Sequence, residues 1–444
     1  MAERVEYSSA GRAGRPVVLV ILGTRPEAIK LFPVVRALQA DPRLVTRLVT
    51  TGQHREMVDQ ILQPFGVVPD RDLDIMRADQ TLNDIVSRIV PRLEELYDEE
   101  RPALVLVQGD TTSAFCAGLT AFHRRIAIGH VEAGLRSFNR FHPYPEEANR
   151  RMLSSVTDLH LAATPWSAAN LGREGVRRDE IVVTGNTVID ALLETLGRTD
   201  LLEHQRVPAL PKRDGERLVL ITLHRRENWM QAAGAGGTAG GAGGAVSGTA
   251  GAAPEESPLE ETLHAIADAA AAFPEATFVY PVHRNPRVQG PARRLLLGKP
   301  NVHLLDPLPY IPFVDLLSRA ALVLTDSGGI QEEAPSLGVP VLVARETTER
   351  PEGVEAGTNV LVGTRRETVR DAMAQHLGNE PAPRGPLPRP NPFGDGQASG
   401  RIRQSVLHHL GLGEKAPEFV PPVASSSSSS TSRVERAGVR GGRS

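Results

Sequence analysis

Asp326-Ser327-Gly328-Gly329-Ile330-Gln331-Glu332-Glu333 joins an apolar run, Ala321–Thr325, to a helix-forming stretch, and that junction can hold an anion. Two glycines let the backbone approach a ligand, the free amides at the helix start favour negative charge, and Ser327 adds a hydroxyl donor. A diphosphate fits such a cradle. Glu333, one helical turn beyond Gly329, shares its face and can accept hydrogen bonds from vicinal sugar hydroxyls. Taken alone, a Gly-Gly turn before a helix is equally an ordinary strand-to-helix connection, so the other chemistry-bearing residues must decide.

Three carboxylates follow comparable apolar runs. Asp110 sits in Gln108-Gly109-Asp110-Thr111-Thr112 after Leu104–Val107, Glu132 in His130-Val131-Glu132-Ala133-Gly134-Leu135-Arg136 after Ile126–Ile128, and Glu146 in Pro143-Tyr144-Pro145-Glu146-Glu147-Ala148-Asn149-Arg150. Several acids at neighbouring strand ends can divide into general acid and general base if their surroundings separate their pKa values. Asp110 also suits a helix N-cap, and Glu146 and Glu147 suit the first turn of a helix beginning at Pro145. His224, in Leu223-His224-Arg225-Arg226-Glu227-Asn228, is placed to stabilise phosphate or a leaving group. Arg25 and Lys30, in Gly23-Thr24-Arg25-Pro26-Glu27-Ala28-Ile29-Lys30, put two cations at another helix start, and Arg345 and Arg350 follow the run Val339–Val343. For each pair, solvated capping charge or surface salt-bridging is the plain alternative. The first octamer lacks the Gly-Lys-Ser/Thr of a nucleotide-binding phosphate loop and the later glycines of a dinucleotide fingerprint, so hydride transfer has no support. No His-Glu-x-x-His or paired-cysteine spacing suggests a metal.

The elements that must position these residues alternate along the chain. Val17–Leu22, Leu104–Val107, Ile126–Ile128, Leu159–Ala162, Ile181–Val183, Leu218–Thr222, Thr277–Tyr280, Val302–Leu305, Leu322–Thr325 and Val339–Val343 are short apolar runs of strand length. Between many of them lie helix-length segments such as Leu259–Phe273, with Leu259, Leu263, Ile266 and Phe273 on one face. This βαβ rhythm predicts an α/β protein of two Rossmann-like, doubly wound domains facing a cleft, with ligands at the carboxyl ends of the strands. The expected units are 16–200, 201–392, and a helix over 393–412 that returns to the first domain. Residues 1–15 and 413–444, the latter with its serine run, are expected to be disordered, and the Gly/Ala-rich stretch 231–253 is expected to be a loose, tolerated insertion.

Size and charge agree with this. At 444 residues the chain exceeds one ordinary core, and a net charge of −3 offers no whole-chain attraction to nucleic acid or to an anionic membrane. The single cysteine, Cys116, excludes an internal disulfide and reads as a small core residue. No apolar stretch reaches membrane-span length and no signal-type segment follows the N-terminal arginines, so a cytoplasmic protein is expected.

Gly23–Lys30, Gln53-His54-Arg55-Glu56-Met57, Gln108–Thr112, His130–Arg136, Pro145–Arg150, His224–Glu227, Asp326–Gly338 and Thr347–Glu352 together resemble the non-hydrolysing UDP-N-acetylglucosamine 2-epimerases, over about Val17 to Leu410. The resemblance implies a glycosyltransferase-B type fold and conversion of UDP-N-acetylglucosamine to UDP-N-acetylmannosamine for cell-surface polysaccharide, without cofactor or metal, in a homodimer. It makes Asp110, Glu132, Glu146 and His224 the catalytic candidates. Arg25, Lys30, Arg136, Phe313, Ser327, Gly328, Gly329, Glu333, Arg345 and Arg350 become contacts to substrate or UDP. Some members are stimulated by substrate bound beside the active site, and Gln53, Glu56, Arg225 and His283 lie in the corresponding motifs. Leu308 departs from the pattern, standing where relatives can carry a polar residue.

The chemistry is consistent with that resemblance. C2 of the sugar is not beside a carbonyl, so direct deprotonation would leave an unstabilised carbanion. Elimination of UDP from C1 with loss of the C2 proton gives a glycal instead, and re-addition with protonation from the other face inverts C2. A hydrolysing 2-epimerase, a transferase passing the sugar to an acceptor, and a silent UDP-sugar sensor remain the alternatives.

Overall fold

The structure, a computed structural model, describes residues 14–53, 55–77, 79–204, 207, 217–225, 228, 256–379 and 390–422. The insertion 231–253, the serine run and the first thirteen residues lie outside the described residues.

Two all-parallel sheets carry the chain. The first has seven strands in the order β3 (Arg71–Asp72), β2 (Val45–Thr50), β1 (Val17–Leu22), β4 (Leu104–Gln108), β5 (Ala127–Ala133), β6 (Leu159–Ala162), β7 (Ile181–Val183). The second has six, in the order β10 (Val302–Leu305), β9 (Ala276–Pro281), β8 (Arg217–Thr222), β11 (Leu322–Thr325), β12 (Val341–Val343), β13 (Asn359–Leu361). The α/β class expected from the sequence is thus observed. The central strands β1 and β4 are continuous apolar runs because both of their faces are covered: Val18–Leu22 and Leu104–Gln108 are all buried. Strands β2, β3 and β13 are not visible as such runs. Arg47 stands exposed in β2, β3 has two exposed residues, and β13 is three residues long with Val360 and Leu361 exposed.

Strand order reverses between β1 and β4 in the first sheet and between β8 and β11 in the second. At such switch points the connections leaving adjacent strands diverge and open a crevice at the carboxyl ends. Each crevice is braced by one buried carboxylate. Glu27 accepts from the backbone of Gly23 (3.0 Å) and Thr24 (2.7 Å) after β1, and from the Thr111 hydroxyl (2.8 Å) after β4. Glu27 is therefore a buried joint between two loops, and burial pushes its carboxyl up despite those bonds. Asp326, fully buried at the end of β11, accepts from the backbone N–H of His224 (3.1 and 3.0 Å) and Arg225 (2.9 Å) after β8.

The helix Arg25–Gln39 buries Ala28, Leu31, Phe32, Val34, Val35 and Leu38 and packs against the helices Thr187–Gly197 and Ala398–His409. Asp190 fixes the last of these by accepting from the N–H groups of Ala398 (3.1 Å) and Ser399 (2.7 Å), two of the orphan donors of a helix start. The helix Gly328–Ser336 packs on Thr187–Gly197 in turn, so one hydrophobic cluster runs from Val18 and Leu31 of the first unit to Leu220, Val323 and Ala334 of the second. Cys116 is in the core, and burial raises its thiol to about 11.

Candidate active site

The two crevices meet across a buried ion-pair chain. Lys30, on the helix after β1, places Nζ 2.5 Å from Glu132 Oε1. Asn186 Nδ2 donates to that same oxygen (3.2 Å) and to Glu332 Oε2 (2.5 Å), and Glu332 Oε1 receives Arg350 Nε at 2.5 Å. Gln108 also donates to Glu132 Oε2. Lys30, Glu132 and Asn186 come from the first unit and Glu332 and Arg350 from the second, so the chain ties the two sheets at their switch points. Asn186 also caps the helix Thr187–Gly197 through Oδ1, accepting from Val188 N (3.2 Å). Sequence reasoning passed over Asn186 and Glu332; the available signal was an Asn in N-cap position directly after Gly185.

Glu132 is not past the end of its strand, as the sequence suggested. Strand β5 continues to Ala133, and the register against β6 shifts between Val131 and Ala133. Glu132 takes φ +63° at that irregularity and Gly134 follows at φ +88°, where a Cβ would run into the Ser167 carbonyl. Bulges of this kind re-aim a side chain, here toward Lys30 and to 3.7 Å from the Gly109 Cβ position beside Asp110. Nor is Asp110 an N-cap: Thr111 holds that place, accepting from Ala114 N (3.0 Å). Asp110 instead pairs with Arg150, on the helix Glu146–Ser154 that also carries Glu146.

Charge balance separates these acids. Burial alone would raise Glu132, but Lys30 beside it and Arg350 beyond hold its carboxyl below the usual range. Burial raises Glu332 despite Arg350 and Lys30. Glu333 is pushed up to about 8 by burial and by Glu332, with Lys30 and Arg25 only partly offsetting them. Its Oε1 is buried without a hydrogen-bond partner among the described residues. Expected from sequence as a carboxylate acceptor, Glu333 is a neutral acid below that pH in this environment.

The Ser327–Gly329 turn leads from β11 directly into a helix. Ser327 is the N-cap of the helix Gly328–Ser336, with Ser327 N donating to Thr325 Oγ1 (2.9 Å). At Gly328 any Cβ would overlap the Arg350 guanidinium, so that glycine is what lets a buried cation reach the helix start. Arg350 is pinned by Glu332 and cannot swing aside freely, so Gly328→Ala should cost about 1–3 kcal/mol as overpacking. Chemical denaturation checks this, and an unchanged midpoint would refute it.

The remaining candidates divide. Arg25 Nη2 reaches Leu308 O (3.4 Å), and its guanidinium is pulled down by burial, with Glu333 opposing. Phe313 is half-buried on the helix Tyr310–Arg319. His224 Nδ1 lies 3.4 Å from Asp326, and its ring stacks on that of His283 with centroids 6.2 Å apart. Arg225 and Arg345 converge on Glu349, with distances of 3.5 and 2.8 Å, and hold its carboxyl far below the usual range against burial. Gln53 accepts from Ser113 (3.1 Å), and Glu56 is exposed on the helix Arg55–Leu62. Arg136 stands apart from the ion-pair chain: its buried guanidinium is spent on Glu174 (2.9 and 2.7 Å) and Ser154 (2.9 Å).

A family profile described as UDP-N-acetylglucosamine 2-epimerase matches residues 36–235 and 252–407. The chain belongs to this family. The UDP-N-acetylglucosamine 2-epimerase of Bacillus subtilis is 42% identical over 401 residues, covering 90% of this chain and 97% of that protein. The Escherichia coli K12 epimerase is 44% identical over 396 residues, covering 88% and 98%. A crystal structure of the Neisseria meningitidis UDP-GlcNAc 2-epimerase bound to UDP-GlcNAc superposes with a TM-score of 0.76 at 40% identity, covering 88% of this chain and all of that one. With the family established, the two parallel α/β units joined at their switch points are the glycosyltransferase-B arrangement.

Proposed function

We propose that this epimerase-family chain interconverts UDP-N-acetylglucosamine and UDP-N-acetylmannosamine by eliminating UDP across C1–C2 and adding it back. The carrying observation is the Lys30–Glu132–Asn186–Glu332–Arg350 chain, which sets an ionised carboxylate and two cations between the switch points of both sheets. The diphosphate would sit at Ser327–Gly329 with Arg350, Arg25 and His224 near the departing oxygens, stabilising charge as it develops on UDP. Glu333 and Phe313 are assigned to the nucleoside. Glu132, Asp110 and Glu146 are the proton carriers: the pair from the C2–H bond becomes the C1–C2 π bond as the C1–O pair leaves with UDP, and protonation on the opposite face accompanies re-addition. The relative that is seen bound to UDP-GlcNAc supports this substrate.

We further place the protein in the cytoplasm, as a homodimer, supplying N-acetylmannosamine units for surface polysaccharide. No cofactor is assigned. The Gln53, Glu56, Arg225 and His283 group is proposed as a second substrate contact that modulates turnover, and 231–253 as a tolerated insertion.

Incubation with UDP-N-acetylglucosamine in heavy water decides the reaction. Deuterium at C2 of intact UDP-sugars of both configurations is the expected result, with positional exchange of labelled oxygen between C1 and the β-phosphorus. Release of UDP and free sugar would assign hydrolysis, and absence of exchange without an acceptor would assign a transferase or a sensor.

A further inference from the structure

The two carboxylate oxygens of Asp110 are not equivalent. Arg150 donates to Oδ2 from Nε (3.1 Å) and again from Nη2, and Oδ1 receives neither bond. The Arg150 side chain is 7% exposed while that of Asp110 is 24% exposed, so the bonded edge is inside and the carboxylate still reaches solvent. Arg150 is itself fixed: Nη1 donates to Glu147 Oε2 (3.1 Å), and Glu147, fully buried, also accepts from the backbone of Ser137 (3.0 Å) and Phe138 (3.1 Å).

The backbone bearing Asp110 is held from two further sides. Asn149 Nδ2 donates to Asp110 O (3.0 Å), and a His130 ring nitrogen lies 2.7 Å from Gly109 O. Burial lowers the His130 imidazole to about 4, so it braces the turn as a neutral donor. Among the described residues Arg150 is therefore the cation in ion-pair contact with Asp110. Asn149, Arg150 and Glu146 share one helix, which bolts the Glu146 end of that helix to the turn after β4.

We propose that Arg150 is a positioning residue for proton transfer: by taking Asp110 Oδ2 with both donors, it leaves Oδ1 as the oxygen that exchanges a proton with the sugar. This rests on the epimerase reading above. On the face of C2 that Asp110 serves, the proton passes between C2 and Oδ1 while the C–H pair becomes the π bond and the C1–O pair leaves with UDP. A planar guanidinium can grip one oxygen from two nitrogens, whereas a lysine ammonium can neutralise it but leaves the carboxylate free to rotate.

The test compares wild type with Arg150→Lys and Arg150→Ala, measuring kcat, KM and UDP affinity, with C2 deuterium incorporation as a direct readout. Loss of geometry should lower kcat by about a hundredfold in both variants with KM and UDP affinity within about threefold of wild type. Guanidinium ion should restore much of the loss in Arg150→Ala. Arg150→Lys keeps a charge beside buried Glu147 and so guards against simple misfolding. If Arg150→Lys turns over within about twofold of wild type, or if the loss appears in KM and is not rescued by guanidinium, orientation by Arg150 is wrong. Wild-type protein that binds UDP yet exchanges no deuterium would instead overturn the epimerase reading and this inference with it.

Discussion

Glu132→Gln is expected to lower kcat by about a thousandfold, within the range a positioned acid or base supplies. The amide keeps the shape of the side chain, so Asn186 and Gln108 still find a neighbour at nearly the same place. It cannot carry a proton, and it leaves Lys30 without its partner at 2.5 Å. Breaking one side of a buried pair costs about 3–5 kcal/mol, so folding must be measured beside turnover. Lys30→Met separates the two effects. With the ammonium gone, burial is the leading influence on Glu132 and its carboxyl rises. A base with a raised pKa needs a higher pH to ionise, so the acidic limb of the kcat/KM profile should move upward in Lys30→Met while Glu132→Gln stays low at every pH. The sign for stability is opposite to that of a raised acid: Glu132 is depressed in the folded chain, so its contribution is present above the unfolded pKa and fades as pH falls through the folded one. Activity of Glu132→Gln within tenfold of wild type would remove Glu132 from the chemistry.

The central strands, the Gly-Gly helix start and most of the cluster were legible because each is local in sequence. An apolar run buried on both faces announces itself, and Lys30, Glu132 and Arg350 each sit directly after or just beyond such a run. What escaped was long-range. Glu27 and Asp326 each bridge two loops that are far apart in the chain, Glu27 by accepting from Thr111 and Asp326 by accepting from His224 and Arg225, and nothing local marks such a role. Asn186 was passed over because its role depends on Glu332, 146 positions away. Arg136 differs in another way: its motif suggested a ligand contact, and in the structure its guanidinium donates to Glu174 and Ser154, partners that are distant in sequence. Strands β2, β3 and β13 escaped for a simpler reason, since Thr46, Arg47 and Thr50 break the apolar run of β2, and β3 and β13 are too short to show a pattern.

Glu333 should make both folding and nucleotide binding depend on pH. Its carboxyl lies at about 8 in the folded chain against an ordinary 4.5. The folded state therefore holds this proton more tightly than the unfolded one, and stability falls as pH rises from the ordinary value through about 8, by as much as about 5 kcal/mol. Glu333→Gln cannot ionise and loses that dependence. The gap in unfolding midpoint between variant and wild type should accordingly widen, in favour of the variant, between about pH 5 and about pH 9. Binding runs the other way. If ribose hydroxyls donate to Glu333, they favour the ionised form, so UDP binding at about pH 7 should release a proton and tighten by up to about tenfold as pH approaches 8. That range lies above the titration of the terminal phosphate, which is centred near about 6. Calorimetry in two buffers of different ionisation enthalpy reads the proton directly, and Glu333→Gln should show none. A wild-type heat that is independent of buffer would mean that Glu333 keeps its proton when UDP binds, and that the hydroxyls are held by some other group.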